Sequence, residues 1–164
     1  MLLGCICVTK QNVVKLKEII IVTGGAGFIG SNFLNLFVPK YHNTLFINVD
    51  CLTSAGSLAN IKVVTHKNYK FARVDISDDK KLEHVFKKYK PTGVIHFAAE
   101  SHVDVSIKDP DIFIKTNIIG THNLLRQSLK YKVERFVQVS TDEVYGALEK
   151  SGSFSETSPI APNN

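Results

Sequence analysis

Long apolar runs are missing from this sequence of 164 residues. Leu2-Leu3-Gly4-Cys5-Ile6-Cys7-Val8 is apolar, but no basic region precedes it, and it is far too short for a membrane span or a secretory leader. A lipid-attachment reading of Leu3-Gly4-Cys5 would need a preceding apolar segment, which the sequence lacks. Residues 1–17 therefore read as a poorly ordered N-terminal extension in front of the first strand. Cysteine is scarce: Cys5, Cys7 and Cys51 form no C-x-x-C pair, and their odd number does not point to a disulfide framework, so a reducing cytoplasm is expected. The six histidines show no metal-ligand spacing, and no metal site is expected. The net charge of +5 lacks the pattern of a nucleic-acid binder. Lys80, Lys81, Lys87, Lys88 and Lys90 lie along one helical segment with no interleaved aromatics, which reads as a solvated face. Neither nucleic acid nor membrane is expected as a partner. No repeat or linker divides the remainder, and 44% hydrophobic with 21% charged residues is ordinary globular material, so residues 18–164 read as one domain.

What is present is a glycine-rich turn between a strand and a helix. Glu18-Ile19-Ile20-Ile21-Val22 is a β-branched run of the kind buried in parallel sheets. After it, Phe28, Ile29, Phe33, Leu34, Phe37 and Val38 recur at helical spacing up to Pro39. Between them stand Gly24, Gly27 and Gly30 in the spacing G-x-x-G-x-x-G. On such a turn Gly24 allows the sharp bend, Gly27 lets backbone approach a pyrophosphate, and Gly30 lets the helix pack close on the strand. The helix N-terminus then faces the phosphate charge. A second apolar run, Leu45-Phe46-Ile47-Asn48-Val49, ends in Asp50, twenty positions after Gly30. A carboxylate there is placed to accept from the adenosine ribose hydroxyls and to repel a 2′-phosphate. Strand, turn, helix, strand and acid together predict a dinucleotide site that takes NAD rather than NADP.

The rest of the chain continues the alternation. Leu52 to Gly56 reads as a loop on the adenosine side, and residues 57–64 hold space for a short helix. Tyr69 to Val74 alternates as a strand and runs into Asp75-Ile76. Ser77-Asp78-Asp79 is a cluster of helix N-cap residues before the amphipathic segment Lys80–Tyr89, which Pro91 stops. Gly93–Phe97 is a fourth strand. A long helix is expected from about Asp109 to Tyr131, with Ile112, Asn117, Ile119, Leu124, Leu125 and Leu129 as inward candidates. Arg135–Ser140 is a fifth strand. The pattern predicts an α/β fold with a Rossmann-type, doubly wound parallel sheet, ending after about the fifth strand.

The fifth strand runs into Ser140-Thr141-Asp142-Glu143-Val144-Tyr145-Gly146. Ligands of open parallel sheets bind outside the carboxyl ends of the strands. Two adjacent carboxylates at such an end can divide acid and base roles if their surroundings push their pKa values apart. The same pair reads equally as solvated loop residues, or as a cap on a helical turn. The catalytic reading needs a turn there, which Gly146 permits.

Three stretches carry a resemblance. Thr-Gly-Gly-Ala-Gly-Phe-Ile-Gly-Ser-Asn at 23–32, His-Phe-Ala-Ala-Glu-Ser-His-Val-Asp at 96–104 and Ser-Thr-Asp-Glu-Val-Tyr-Gly at 140–146 resemble the dTDP-glucose 4,6-dehydratases of the extended short-chain dehydrogenase/reductase superfamily, an NAD-dependent epimerase/dehydratase group. The likeness runs from about Lys17 to the end and covers the N-terminal half of such an enzyme. The glycine motif is shared across the superfamily, whereas the Thr-Asp-Glu triplet is more specific. Related epimerases usually carry small neutral residues at the two acidic positions, and related decarboxylases and GDP-mannose dehydratases typically keep only the Glu.

The resemblance implies that Phe28 and Ile29 lie against the pyrophosphate and that Asp50, Cys51, Leu52 and Thr53 hold the adenosine ribose. Cys51 departs from the usual Lys. Asp75 and Ile76 would border the adenine, the stretch from Phe97 to Ser101 (Phe97, Ala98, Ala99 and Ser101 above all) the nicotinamide ribose, and Thr116 would reach the cofactor from the long helix. Ser101 and Thr141 would face the sugar of dTDP-glucose or UDP-glucose, Thr141 near its 4-hydroxyl. Hydride would leave sugar carbon 4 for NAD. Glu143 would then take the proton of carbon 5 as general base, Asp142 would protonate the departing 6-hydroxyl as general acid, and hydride would return to carbon 6. The superfamily also uses a Y-x-x-x-K pair on the 4-hydroxyl. None of Tyr41, Tyr69, Tyr89, Tyr131 and Tyr145 has a Lys four positions on. The chain is therefore expected to be an N-terminal fragment, inactive alone, of a parent that forms a homodimer partly through the Asp109–Tyr131 helix. The fifth strand would leave an open apolar edge. A related epimerase or decarboxylase, and a non-catalytic dinucleotide-binding protein, remain the alternatives.

Overall fold

The computed structural model describes residues 18–148 and 151–163. The extension expected over residues 1–17, with Cys5 and Cys7, lies outside the described residues. Five strands form one sheet: β1 (Glu18–Thr23), β2 (Thr44–Asp50), β3 (Tyr69–Arg73), β4 (Gly93–His96) and β5 (Arg135–Gln138). Their order is β3-β2-β1-β4-β5, and every pairing is parallel. The direction of winding therefore reverses between β1 and β4, where an open α/β sheet opens its ligand crevice.

Side-chain alternation assigns the two faces of the sheet. Ile21, Ile47, Val49 and Val94 turn to one face and meet Leu82, Val85 and Phe86 of α2 (Asp79–Tyr89) and Leu124. Val22 and Phe46 turn to the other, against Leu34 and Val38 of α1 (Phe28–Lys40). β1 and β2 are covered on both faces, which is why they read as near-continuous apolar runs. Asp78 caps α2 by accepting from the Lys81 N–H at 3.1 Å, and the helix ends at Lys90 in a left-handed conformation, φ 49°. The lysines of α2 are exposed, as a solvated face requires. Between Ser57 and Val64 the helical turn is a single 3₁₀ turn, Leu58–Asn60, with Ser57 as its cap.

The expected long helix is built in pieces. A short α3 (Val103–Lys108), not anticipated from the sequence, precedes α4 (Pro110–Phe113). The helix continues as a π-helical stretch over Ile114–Gly120 and then as α5 (Thr121–Lys130). Leu124 is fully buried and Ile112 and Asn117 are half-buried, but Ile119, Leu125 and Leu129 are exposed, Leu129 to 82%. The other inward positions of α5 are polar: Asn123 donates to the carbonyls of Ile76 and Ser77 at 3.2 and 3.1 Å, and Gln127 donates to Asp79 at 2.7 Å. Backbone and carboxylate acceptors around the start of α2 take up the amide N–H groups, so polar side chains fill the place a leucine was expected to take. At Gly120 an added Cβ would stand 2.6 Å from the Ile76 side chain, so the helix approaches β3's continuation closely there.

β5 forms one edge of the sheet. Val137 and Val139 are half-exposed, while Phe136 packs onto the core. Among the described residues, no helix is long and apolar enough to cross a membrane.

Candidate functional site

A cleft of about 370 Å³ lies at the carboxyl ends of the strands where the winding reverses. Its floor is the glycine turn. Gly24 has φ +66°, and a Cβ there would stand 2.7 Å from the Ala98 nitrogen, so both the bend and the neighbouring strand demand glycine. Gly27 is different: a Cβ there would meet only the Gly24 carbonyl, at 3.3 Å, and otherwise point into open space. Gly30 is buried against the turn itself, with a Cβ only 2.8 Å from the Gly25 Cα. Its close contact is thus with the turn backbone rather than with the strand proper.

The N-terminus of α1 opens from this turn. Gly27 caps it without a side-chain hydrogen bond, and no acidic residue stands in the first turn. The end keeps its positive dipole and free N–H groups for an anion. Phe28 and Ile29 are exposed beside it, to 82% and 60%.

Asp50 is buried at the end of β2 and is held on both oxygens. Oδ2 accepts from the Ala26 N–H at 2.9 Å and Oδ1 from the Leu52 N–H at 2.8 Å. Leu52 takes φ 60° to make that turn. The carboxylate therefore ties the glycine loop to the loop after β2 and presents its remaining lone pairs to the cleft. Cys51 lies beside it. Burial first, and then the nearby charges of Asp75 and Asp50, push its thiol pKa up, so the thiol stays protonated.

The far wall comes from β3, β4 and the π-helical stretch. Asp75 accepts from the N–H and hydroxyl of Ser77 at 2.9 and 2.8 Å and pairs with Lys115 at 3.3 Å. Burial alone would raise its pKa; the Ser77 hydrogen bonds and the Lys115 ammonium outweigh that and hold it below the usual value. Asn117 grips the backbone of Glu100 in both directions, each bond 2.9 Å, and so fixes the segment after β4. Under that segment His96 is buried. The Thr23 hydroxyl accepts from the Ala98 N–H at 3.3 Å and shares a hydrogen bond of 2.6 Å with His96 Nδ1. Nε2 shares another, of 3.0 Å, with the Thr121 hydroxyl. Burial pushes the imidazole down to about 4, and the ring is neutral.

The cleft gathers most of the residues expected to hold a cofactor: Gly24, Gly27, Asp50, Cys51, Thr53, Asp75, Ile76, Phe97, Ala98, Ala99 and Thr116. Phe28, Ile29, Gly30, Leu52 and Ser101 are not among its lining residues. Glu100 is, within the expected stretch from Phe97 to Ser101, and so are Ile112 and Lys115, to which sequence reasoning gave no place in the site. An ion pair between positions 75 and 115 leaves no local signal in a single sequence.

Thr141, Asp142 and Glu143 stand apart from the cleft lining, at the carboxyl end of β5. Asp142–Tyr145 form a 3₁₀ turn, which Thr141 caps by accepting from the Glu143 N–H at 3.2 Å and Gly146 ends with φ 89°. The turn that the acid/base reading required is present. Thr141 and both carboxylates are exposed. Tyr145 stacks on Phe154 at 5.2 Å, and the Ala161 N–H donates to the Val144 carbonyl, so residues 154–161 pack against this turn. Among the described residues no cluster of His, Cys, Asp and Glu could hold a metal ion.

The family model described as GDP-mannose 4,6 dehydratase matches residues 21–164. A dTDP-glucose 4,6-dehydratase of Neisseria meningitidis is 44% identical over 156 residues, covering 88% of this chain and 44% of that protein. The crystal structure of dTDP-glucose 4,6-dehydratase from Bacillus anthracis in complex with NAD is 44% identical, with a TM-score of 0.80 over 90% of this chain and 45% of that one. The DesIV dTDP-glucose 4,6-dehydratase of Streptomyces venezuelae, with NAD and TYD bound, is 41% identical, with a TM-score of 0.81 over 88% of this chain and 46% of that one. The chain thus spans less than half the length of these relatives.

Proposed function

The chain belongs to the GDP-mannose 4,6-dehydratase family, and on that premise we propose that it is the NAD-binding portion of a nucleotide-sugar 4,6-dehydratase acting on dTDP-glucose or UDP-glucose. The observation that carries the cofactor is the cleft itself. An uncapped helix N-terminus for the pyrophosphate, a glycine turn open at Gly27, and a doubly anchored Asp50 for the ribose all meet at the reversal between β1 and β4. The negative charge of Asp50 disfavours a 2′-phosphate, so the cofactor is NAD rather than NADP.

The dehydratase reading, over an epimerase or decarboxylase, rests on Asp142 and Glu143 together. They sit on a turn at the end of β5, the strand paired with β4, whose continuation lines the cleft. Bound NAD supplies acceptance and return of hydride. Glu143 removes the carbon-5 proton, Asp142 protonates the departing 6-hydroxyl, and Thr141 hydrogen-bonds the sugar near its 4-hydroxyl. Ser101 completes the sugar side. We further propose a cytoplasmic site of action and a homodimeric parent, the exposed Ile118, Ile119, Leu125 and Leu129 being the apolar surface available to a second copy.

Calorimetric titration with NAD and NADP tests the cofactor, with preference for NAD expected. Incubating the chain with NAD and dTDP-glucose tests the chemistry. No 4-keto-6-deoxy product is expected, because these 164 residues contain no Tyr-x-x-x-Lys pair to take the 4-hydroxyl proton. Turnover would overturn that assignment.

A further inference from the structure

Lys115 belongs to none of the roles assigned above, yet its ammonium reaches the cleft. It stands in the π-helical stretch Ile114–Gly120, whose wider turn rotates successive side chains by less than an α-helix does. Three consecutive residues of this stretch each meet the cleft or the segments that border it. Lys115 pairs with Asp75, Thr116 lines the cleft, and Asn117 pins the Glu100 backbone. An isolated π stretch within a helix often marks a functional site, and here it places a cation across the cleft from the loop after β3.

We propose that Lys115 is a positioning residue for the adenine end of the cofactor, a clasp that aims the Asp75 carboxylate and covers the purine with its aliphatic stem. The inference rests on the NAD reading above. The geometry of Asp75 supports it. Oδ1 is occupied by the N–H and hydroxyl of Ser77, so Oδ2, which faces Lys115, is the oxygen left to meet a ligand. Lys115 fixes that oxygen while leaving it further lone-pair capacity, which suits the amino group of adenine. Both side chains are partly exposed without ligand, 59% and 38%, so the pair contributes little to the free fold. A purine seated against it removes water and strengthens it. Lys115 is also the cation in the cleft wall that offsets the negative charges of Asp50, Asp75 and Glu100.

The test is affinity for NAD and for its hypoxanthine analogue, which presents a carbonyl where adenine has the amine, on wild type, K115M and K115E. K115M is expected to weaken NAD about 3-fold and K115E about 10-fold. The preference for NAD over the hypoxanthine analogue should fall towards unity in both variants, and the ligand-free Tm should not move. A clasp built on charge also predicts that wild-type affinity falls with salt more steeply than that of K115M. Unchanged NAD affinity and unchanged base preference in both variants overturn the clasp while leaving the cofactor reading intact. A wild-type chain that binds no NAD overturns both.

Discussion

The two ends of the strand tops are built differently. At the adenosine end, Asp50, Asp75 and the glycine turn are held by several partners each. Asp50 ties two loops together, Gly24 and Gly30 sit where a single Cβ would collide with backbone, and Asp75 has its oxygens divided between Ser77 and Lys115. At the end of β5, Thr141, Asp142 and Glu143 are exposed, on a turn whose one side-chain cap is the 3.2 Å bond to Thr141 and whose later residues pack on 154–161. The first region is closely tied because Asp50 and the glycine turn also hold neighbouring loops together. The second spends almost nothing on stability, so its residues are free to be chosen for chemistry. On the proposed reading, dinucleotide recognition uses residues that the fold also needs, and the acid/base pair stands on a turn at the sheet's border.

The sharpest way to break this contrast is at Gly24. G24V places a β-branched side chain at φ +66° with its Cβ 2.7 Å from the Ala98 nitrogen. A loss of about 3 kcal/mol in unfolding free energy is expected, from left-handed strain and overpacking together. Urea denaturation measures it. A change below 1 kcal/mol would mean that the turn is softer than its geometry implies.

His96 gives an effect of similar size that depends on pH. Its folded pKa is depressed to about 4 from an ordinary 6.5. The unfolded chain therefore binds the proton first. The stability contributed by the neutral ring is fully present above pH 6.5 and is lost as pH falls towards 4, by about 3 kcal/mol. Urea midpoints between pH 7 and 4 should show this loss in wild type and a shallower slope in H96Q. Equal slopes would remove His96 as the cause and leave the carboxylates responsible.

D50N probes binding more than folding. Both oxygens of Asp50 accept backbone N–H groups, so an amide must turn a donor towards one of them. A stability loss of about 1 to 2 kcal/mol is expected. NAD affinity should drop about 10-fold, and discrimination against NADP should narrow as the charge disappears. Calorimetry with both nucleotides checks this, and a retained preference for NAD would move the discriminating charge elsewhere.

These experiments divide along the line between what the sequence revealed and what it concealed. The strands were legible because β1 and β2, covered on both faces, must be apolar almost throughout. The glycine turn was legible because Gly24 and Gly30 make backbone contacts that leave no room for a Cβ. The inner face of α5 was misread, since Asn123 and Gln127 point inward to satisfy carbonyl and carboxylate acceptors while Leu125 and Leu129 face outward. Periodicity of apolar residues carries no record of a polar core contact. The π-helical stretch and the Lys115–Asp75 pair were likewise hidden, because each depends on where the chain lies in space rather than on which residues are near in sequence.

The smallest effect belongs to the end of β5, and it is the one that gives the comparison its meaning. D142N and E143Q alter exposed side chains, and neither removes the Thr141 cap, because the Glu143 group that donates to Thr141 is its backbone N–H. Unfolding free energy should change by less than about 0.5 kcal/mol. Affinity for NAD should stay within about 2-fold, since neither side chain lines the cleft. T141A removes the cap and should cost about 0.5 to 1 kcal/mol, which calibrates the measurement against a real structural loss. If D142N or E143Q instead weakened NAD about 10-fold, the carboxylates would belong to the cofactor site and the two regions would be one. If both are silent in stability and in binding, any later loss of dehydration that they cause in an active parent is a loss of chemistry alone, because fold and cofactor have already been shown indifferent to them.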